Sequence, residues 1–278
     1  MTNSVNIACL QTSPLPDFAS ALDHALTLAK SAADSGAQFL ALPEYCGGLQ
    51  TKGSSFAPPF APEDEHPVLN GLRAFASSRK VWLSIGSLAV SAMGSKFANR
   101  SFVVDDQGQI VSRYDKIHLF DISLSDKEVY LESATVQGGD SAVITQTPFG
   151  AIGHSICYDL RFAALYRQLA QAGADILMVP AAFTKKTGEA HWHVLNRARA
   201  IENGAFVVAS CAIGDVEGGG GSYGHSLIVD PWGEVLADGG EEPGVVLATL
   251  DLDLVAETRR KIPSLEHGRP FSAPDPVK

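Results

Sequence analysis

Cys157 lies in the stretch Gly153–Phe162, GHSICYDLRF, where a buried strand gives way to a helix. Ala151, Ile152, Ile156 and Cys157 are small or apolar, and Thr147-Pro148-Phe149-Gly150 supplies the turn before them. On the far side, Asp159 can cap the amides that follow. Phe162, Ala163, Leu165, Tyr166, Leu169 and Ala170 share one helical face. A cysteine at such a junction sits beside unpaired backbone N–H groups, which stabilise a thiolate and a developing oxyanion. The position suits a nucleophile. It equally suits a core thiol, since free cysteine is among the most buried residue types.

Three other residues invite chemistry. Glu44 ends a buried strand just after Pro43, where a carboxylate needs a partner or a task. Lys116 follows a hairpin strand in the half-apolar run DKIHLF, where a surface lysine is the plain alternative. Glu132, in Tyr130-Leu131-Glu132-Ser133, carries no pattern of its own. The histidines offer a rival scheme, because His118, His154, His191 or His193 could serve Cys157 as a base or bind a metal. Spacing argues against zinc: His191 and His193 are two apart on a helix and face different ways. His154 has the opposite strand parity to Cys157 and should face the other side of the sheet. No metal or cofactor is expected.

The elements that must position these residues alternate along the chain. Val5, Ile7 and Cys9 mark a first strand, and Ala21 to Ala33 a helix that Gly36 stops. Phe39 to Leu42 form a buried strand, residues 46–67 a long Gly/Pro-rich loop, and Val68 to Ala76 a second helix. A strand over Val81–Ile85 is followed by a hairpin through Phe102-Val103-Val104 and Ile110-Val111, then a long loop over residues 121–140. Beyond the central helix come strands at Ile176–Val179 and Phe206–Val208, with a helix from His191 to Glu202 between them. Leu227–Val229 and Val245–Leu247 complete a sheet. Gly218 to Gly221 reads as a flexible turn, not a phosphate loop, since no helix follows it. A short helix from Leu254 opens a C-terminal tail, residues 254–278. The fold class is α/β, with two sheets sandwiched between helix layers in a single domain spanning residues 1–278.

Composition bounds the function. The chain has 278 residues, 45% hydrophobic and 19% charged, with a formal net charge of −10, so nucleic acid and anionic membrane are poor partners. An anionic substrate would need a local cluster of cations, and Arg161, Lys185, Lys186 and His191 lie near enough to Cys157 in sequence to supply one. Cys9, Cys46, Cys157 and Cys211 are widely spaced, which suits a reducing compartment. The N-terminus lacks a basic region and a long apolar run, and no apolar stretch reaches membrane-spanning length. A cytoplasmic location follows as the expectation.

PEY at 43–45, RYDKIHLFD at 113–121 and ICYDLRF at 156–162 together resemble the nitrilase superfamily of carbon–nitrogen hydrolases. The likeness continues through AHW at 190–192, RARAIEN at 197–203 and YGHSLIVDPWGEVLA at 223–237. It implies an α-β-β-α sandwich that pairs across outer helices into dimers or larger homo-oligomers, with the tail at that interface. It implies a Glu–Lys–Cys triad on Glu44, Lys116 and Cys157, with Glu132 matching a further glutamate of the amidase branches. Lys116 and the backbone N–H of Tyr158 would hold the oxyanion. Tyr158, where true nitrilases have Trp, places the likeness with small amidases: omega-amidases and deaminated-glutathione amidases. These cleave a primary amide on a small carboxylate-bearing substrate through an acyl-thioester, releasing ammonia. The alternatives are an N-carbamoyl amino-acid hydrolase and a catalytically silent interaction protein. The family's Gly-Pro-Ala-His-Trp-Glu appears here as Gly188-Glu189-Ala190-His191-Trp192-His193, a departure at the pocket's expected rim.

Overall fold

The computed structural model describes residues 3–272 apart from 54, 93, 126 and 127. Its strands form two main sheets. The first runs in the order Val136–Gln137, Phe97–Val104, Trp82–Ser91, Phe39–Ala41, Ser4–Gln11, Gly244–Asp251, with Ile110–Asp115 also paired to Phe97–Val104. The second runs Ile144–Thr147, Gly150–Gly153, Ile176–Met178, Phe206–Ala209, Leu227–Val229, Val235–Asp238. Parallel pairing at the centre of each sheet buries both faces, so the strands are apolar on both sides.

Side-chain alternation divides each strand between two cores. In Ser4–Gln11, Ala8 and Leu10 turn to the helices α1 (Phe18–Asp34) and α2 (Pro67–Arg79). Val5, Ile7 and Cys9 turn inward against Ile152, Ile176, Met178, Phe206, Val208 and Ile228 of the second sheet. Leu177, Val179, Val207 and Ala209 turn outward again, toward Leu165, Tyr166 and Leu169 of α3 (Ala163–Gln171) and Trp192 and Ala200 of α4 (Lys185–Asn203). The expected α-β-β-α sandwich is the architecture found. Asp17 caps α1 by accepting from the Ala19 and Ser20 amides at 2.9 and 3.0 Å, and Gly204 ends α4 at a φ of 53°.

Several local expectations change. The last strand, Gly244–Asp251, does not finish the second sheet but lies antiparallel to Ser4–Gln11 over its whole length. The loop expected over residues 121–140 contains a hairpin, Asp121–Ser125 with Glu128–Leu131, and a short helical turn at Glu132–Ala134. Helix α4 begins at Lys185, so Lys185 and Lys186 stand on its first turn and not in a loop. The short C-terminal helix is α5, Asp253–Lys261, while residues 273–278 of the expected tail lie outside the described residues. Among the described residues, no helix is long and apolar enough to cross a membrane.

His154 sits in the core beneath the second sheet, its Nε2 2.7 Å from Thr145 Oγ1 and 3.2 Å from Ser112 Oγ. Burial lowers its pKa from 6.5 to about 4. As pH falls through that window the unfolded chain takes up a proton that the native site resists, so stability is lost on acidification. The loss should approach about 3 kcal/mol for this one group, the free-energy equivalent of the shift. Urea midpoints of His154→Gln should therefore fall less than wild type between about pH 7 and about pH 4.5. Parallel slopes would show that the histidine is not the source.

Candidate active site

Glu44, Lys116, Cys157 and Glu132 come from four chain segments, each just beyond a strand, and the first three line one pocket. Glu44 follows Phe39–Ala41 and is clasped by an irregularity in strand Trp82–Ser91, where the register shifts between Ile85 and Leu88. There Ser87 N donates to Pro43 O, Tyr45 N to Ser87 Oγ and Cys46 N to Ser87 O. Gly86 makes this approach possible, because a Cβ on it would stand 2.0 Å from the Leu42 carbonyl oxygen. Tyr45 adopts a φ of 52°, a left-handed turn that ends the strand abruptly.

Cys157 also lies in the left-handed region, at a φ of 48°, on a short helical turn, Cys157–Arg161, that precedes α3. A non-glycine residue there is strained by about 1–3 kcal/mol, and the surrounding contacts must over-determine it. They do. Cys157 N donates to Pro180 O at 2.8 Å. Asp159, fully buried, accepts from Ile156 N at 2.9 Å, Tyr114 OH at 2.7 Å and His118 N at 3.0 Å. It thus reaches backward to the chain before the nucleophile, where the sequence pattern suggested a cap on the amides that follow. The N–H of Tyr158 belongs to the first turn, whose amides have no carbonyl within the turn to bond.

Glu44, Lys116 and Glu132 form a buried charge network. Lys116 Nζ lies 2.8 Å from Glu44 Oε1 and 2.9 Å from Glu132 Oε2, with all three side chains at most 4% exposed. Asn99 Nδ2 bridges the two carboxylates, at 2.9 Å to Glu44 and 3.2 Å to Glu132. Glu132 also accepts from Phe120 N at 2.6 Å and Tyr45 OH at 3.2 Å, and Glu44 Oε2 accepts from Ala182 N at 2.9 Å. Burial alone disfavours the charged amine, but the carboxylates of Glu132 and Glu44 outweigh it and hold Lys116 well above its ordinary pKa. Asn99 is the residue the sequence reading missed. Its trace was a buried amide inside the apolar strand Phe97–Val104.

Glu44, Lys116 and Cys157 line one narrow cavity, walled by Phe56, Phe120, Tyr158 and Phe183 with Thr184 and Thr187. Glu132 lies behind Lys116 and does not line it. The thiol shares the cavity wall with Glu44, and burial followed by the Glu44 charge pushes its pKa well up, with Lys116 pulling the other way. The shift favours the protonated thiol at rest. Such a group needs a base at the moment of attack, and Glu44 stands on the same cavity wall.

None of the four histidines of the rival scheme lines this cavity. His118 is held by Asp159 at 2.6 Å and stacks on Phe162, and His154 is buried against Thr145. His193 bonds Asp238. His191 is exposed on α4, its Nδ1 3.3 Å from Arg161 Nη2. The Arg161 guanidinium stands 5.5 Å from the Phe183 ring centre and 6.0 Å from that of Tyr158, both cavity walls. Among the described residues no carboxylate forms a salt bridge with Arg161. Lys185 turns away to Asp215, 2.7 Å distant, and Lys186 is exposed on α4.

Comparison with known proteins agrees with this geometry. The carbon-nitrogen hydrolase family matches residues 6–260. Deaminated glutathione amidase of Synechocystis sp. is 39% identical over 266 residues, covering 94% of this chain and 96% of that protein. Omega-amidase NIT2 of Xenopus tropicalis is 38% identical over 242 residues, 87% of each. Among solved structures, the C. elegans NitFhit protein superposes with a TM-score of 0.88 at 32% identity over 96% of this chain, which spans 66% of that longer one. An amidase of Nesterenkonia sp. AN1 gives 0.75 at 25% identity, covering 93% and 95%. With its family match over nearly all its length and its nitrilase-type sandwich, this chain belongs to the carbon–nitrogen hydrolase family and is an amidase of the nitrilase superfamily.

Proposed function

We propose that the chain hydrolyses the primary amide of a small carboxylate-bearing molecule through a thioester on Cys157, releasing ammonia. The observation that carries this reading is the meeting of the Cys157 thiol, Glu44 and Lys116 at one cavity wall. As sulfur attacks the amide carbon, the thiol proton passes to Glu44. Lys116 and the Tyr158 N–H hold the oxyanion. Glu44 gives its proton to the departing amine, and ammonia leaves. Water then enters, loses a proton to Glu44 and attacks the thioester, and collapse restores the thiol and frees the acid. Glu132, bonded behind Lys116, keeps the ammonium aimed at the cavity. The Nesterenkonia amidase lends support, since in one of its structures acrylamide has added at the active-site cysteine. A screen for ammonia release across omega-amides of 2-oxo acids, deaminated glutathione, N-carbamoyl amino acids and nitriles tests the reading. Turnover of nitriles or carbamoyl compounds alone would replace it.

Arg161 is the cation placed to read the substrate's carboxylate. It stands over two cavity walls with His191 as its neighbour, while Lys185 is engaged elsewhere and Lys186 faces out. Arg161→Met should lower kcat/KM for the acid by about 10- to 100-fold, as loss of a charged hydrogen bond of about 1.5–3 kcal/mol would. A neutral amide of equal size should lose little. Equal losses on both would take Arg161 out of recognition.

The enzyme is further read as a cytoplasmic homo-oligomer of one-domain chains. All four cysteines are free and buried, in keeping with a reducing compartment. Val194 and Ile201 of α4, Trp232 and Ile262 are each more than half exposed. Ile201 abuts Gly233, and Lys261 lies over the Trp232 ring, so much of this apolar surface is shared between α4 and α5. Pairing through these outer helices would cover it. Sedimentation as a monomer at micromolar concentration would contradict this part.

A further inference from the structure

Outside the cavity, three side chains distant in sequence bring ligand atoms together. His193 on α4, His225 just after the strand Gly221–Tyr223, and Asp238 at the end of Val235–Asp238 place one nitrogen or oxygen each within 4.8 Å of one another. His193 Nε2 lies 2.9 Å from Asp238 Oδ2, and His225 Nδ1 lies 2.9 Å from Asp238 Oδ1. We propose that His193, His225 and Asp238 form a binding site for one Zn²⁺-like divalent transition-metal ion, separate from the catalytic cavity.

The donor set is chemically specific. Two imidazoles and a carboxylate suit zinc, nickel or copper better than magnesium or calcium, which favour all-oxygen shells. The side chains are 20–35% exposed, so water can complete the coordination. The donors are held before any ion arrives. His225 takes a φ of 51°, donates its N–H to Gly240 O at 2.9 Å and accepts from Trp192 Nε1 at 2.7 Å. Its ring stacks on Tyr223 with centres 4.6 Å apart. Asp238 Oδ1 accepts from Gly240 N at 2.9 Å. The Tyr223 stack holds the His225 ring and the Gly240 amide orients the Asp238 carboxylate, as outer contacts of metal ligands do.

The surroundings favour a cation. Glu189, one turn before His193 on α4, and Glu241 line a surface cleft together with Tyr223, whose ring stacks on His225. The sequence pattern set this site aside, because His191 and His193 diverge on the helix. Its partners for His193 are instead 32 and 45 residues downstream. An ion here would join α4 to the second sheet about 9 Å along the helix from Thr187 of the cavity, counting the rise per residue. Its consequence would be stability and helix placement, with catalysis left to the thiol.

Zn²⁺ titrated calorimetrically into chelator-stripped, full-length protein tests the site, with Co²⁺ absorption as a second readout. The expected result is one ion per chain, a rise in Tm, and a cobalt spectrum without sulfur-to-metal charge transfer. His193→Gln and Asp238→Asn should each weaken Zn²⁺ affinity by on the order of tenfold or more and remove the Tm rise, while ammonia release persists. His193 is half-buried on α4, so its variant is checked for folding by circular dichroism. Absence of saturable binding, unchanged affinity in both variants, or a sulfur-to-cobalt band that moves the ion to a cysteine would each overturn the proposal.

Discussion

Cys157→Ala is expected to lose turnover by about a million-fold, with the fold intact. Losing the nucleophile of a set that acts as a unit costs about as much as losing the whole set. Alanine takes up the same left-handed backbone at about the same strain, and the loss of one buried sulfur is small beside the packing of that core. The pieces that hold the turn do not involve the sulfur: Cys157 N on Pro180 O, and Asp159 on Ile156, Tyr114 and His118. Ammonia assays on the purified variant, with near-ultraviolet circular dichroism as the control for folding, decide it. Turnover within tenfold of wild type would show that water attacks the amide directly.

The second large effect separates the two glutamates. Glu44 lines the cavity beside Cys157, whereas Glu132 is sealed behind Lys116. Glu44→Gln keeps the shape but cannot take the proton, so first-turnover ammonia release should fall by about 10³–10⁴ along with the steady state. Glu132→Gln leaves thiol and base in place and acts through Lys116, at a cost of about 10²–10³, as for a displaced oxyanion donor. It should also unfold more readily. Both Glu132 oxygens receive donors only, from Lys116, Asn99, Tyr45 and Phe120 N, so an amide nitrogen in either position faces another donor. Breaking a buried charge pair this way costs about 3–5 kcal/mol. Rapid-quench ammonia measurements and urea titration read the two effects apart. A normal first turnover without Glu44 would move the base elsewhere.

The strand-to-helix break at Cys157 and the buried end of the strand at Glu44 were legible because each sets local chemistry against local periodicity. Alternation also marked Val5, Ile7 and Cys9 as a strand, and these three share the inner core between the sheets. What escaped was set by distance along the chain. Asn99 gained meaning only when Glu44 and Glu132, from 55 and 33 residues away, closed on its amide. The thiol's protonation depends on burial by four segments, which no local pattern expresses. The pairing of Gly244–Asp251 with the first strand joins residues some 240 positions apart, and a short apolar run fits either sheet. Lys185 and Lys186 were misplaced because charged residues in a first helical turn carry little periodicity.

The central claim is that the acyl group passes through sulfur. Wild-type protein mixed with substrate, quenched in acid within the first turnovers and read by intact mass and peptide mapping, measures that directly. The expected result is added mass equal to the substrate less ammonia, on the peptide carrying Cys157, appearing with the ammonia burst and decaying as the acid forms. Ammonia and acid released together at every time point, with no adduct on Cys157 in the wild type or in slow Glu132→Gln, would contradict it.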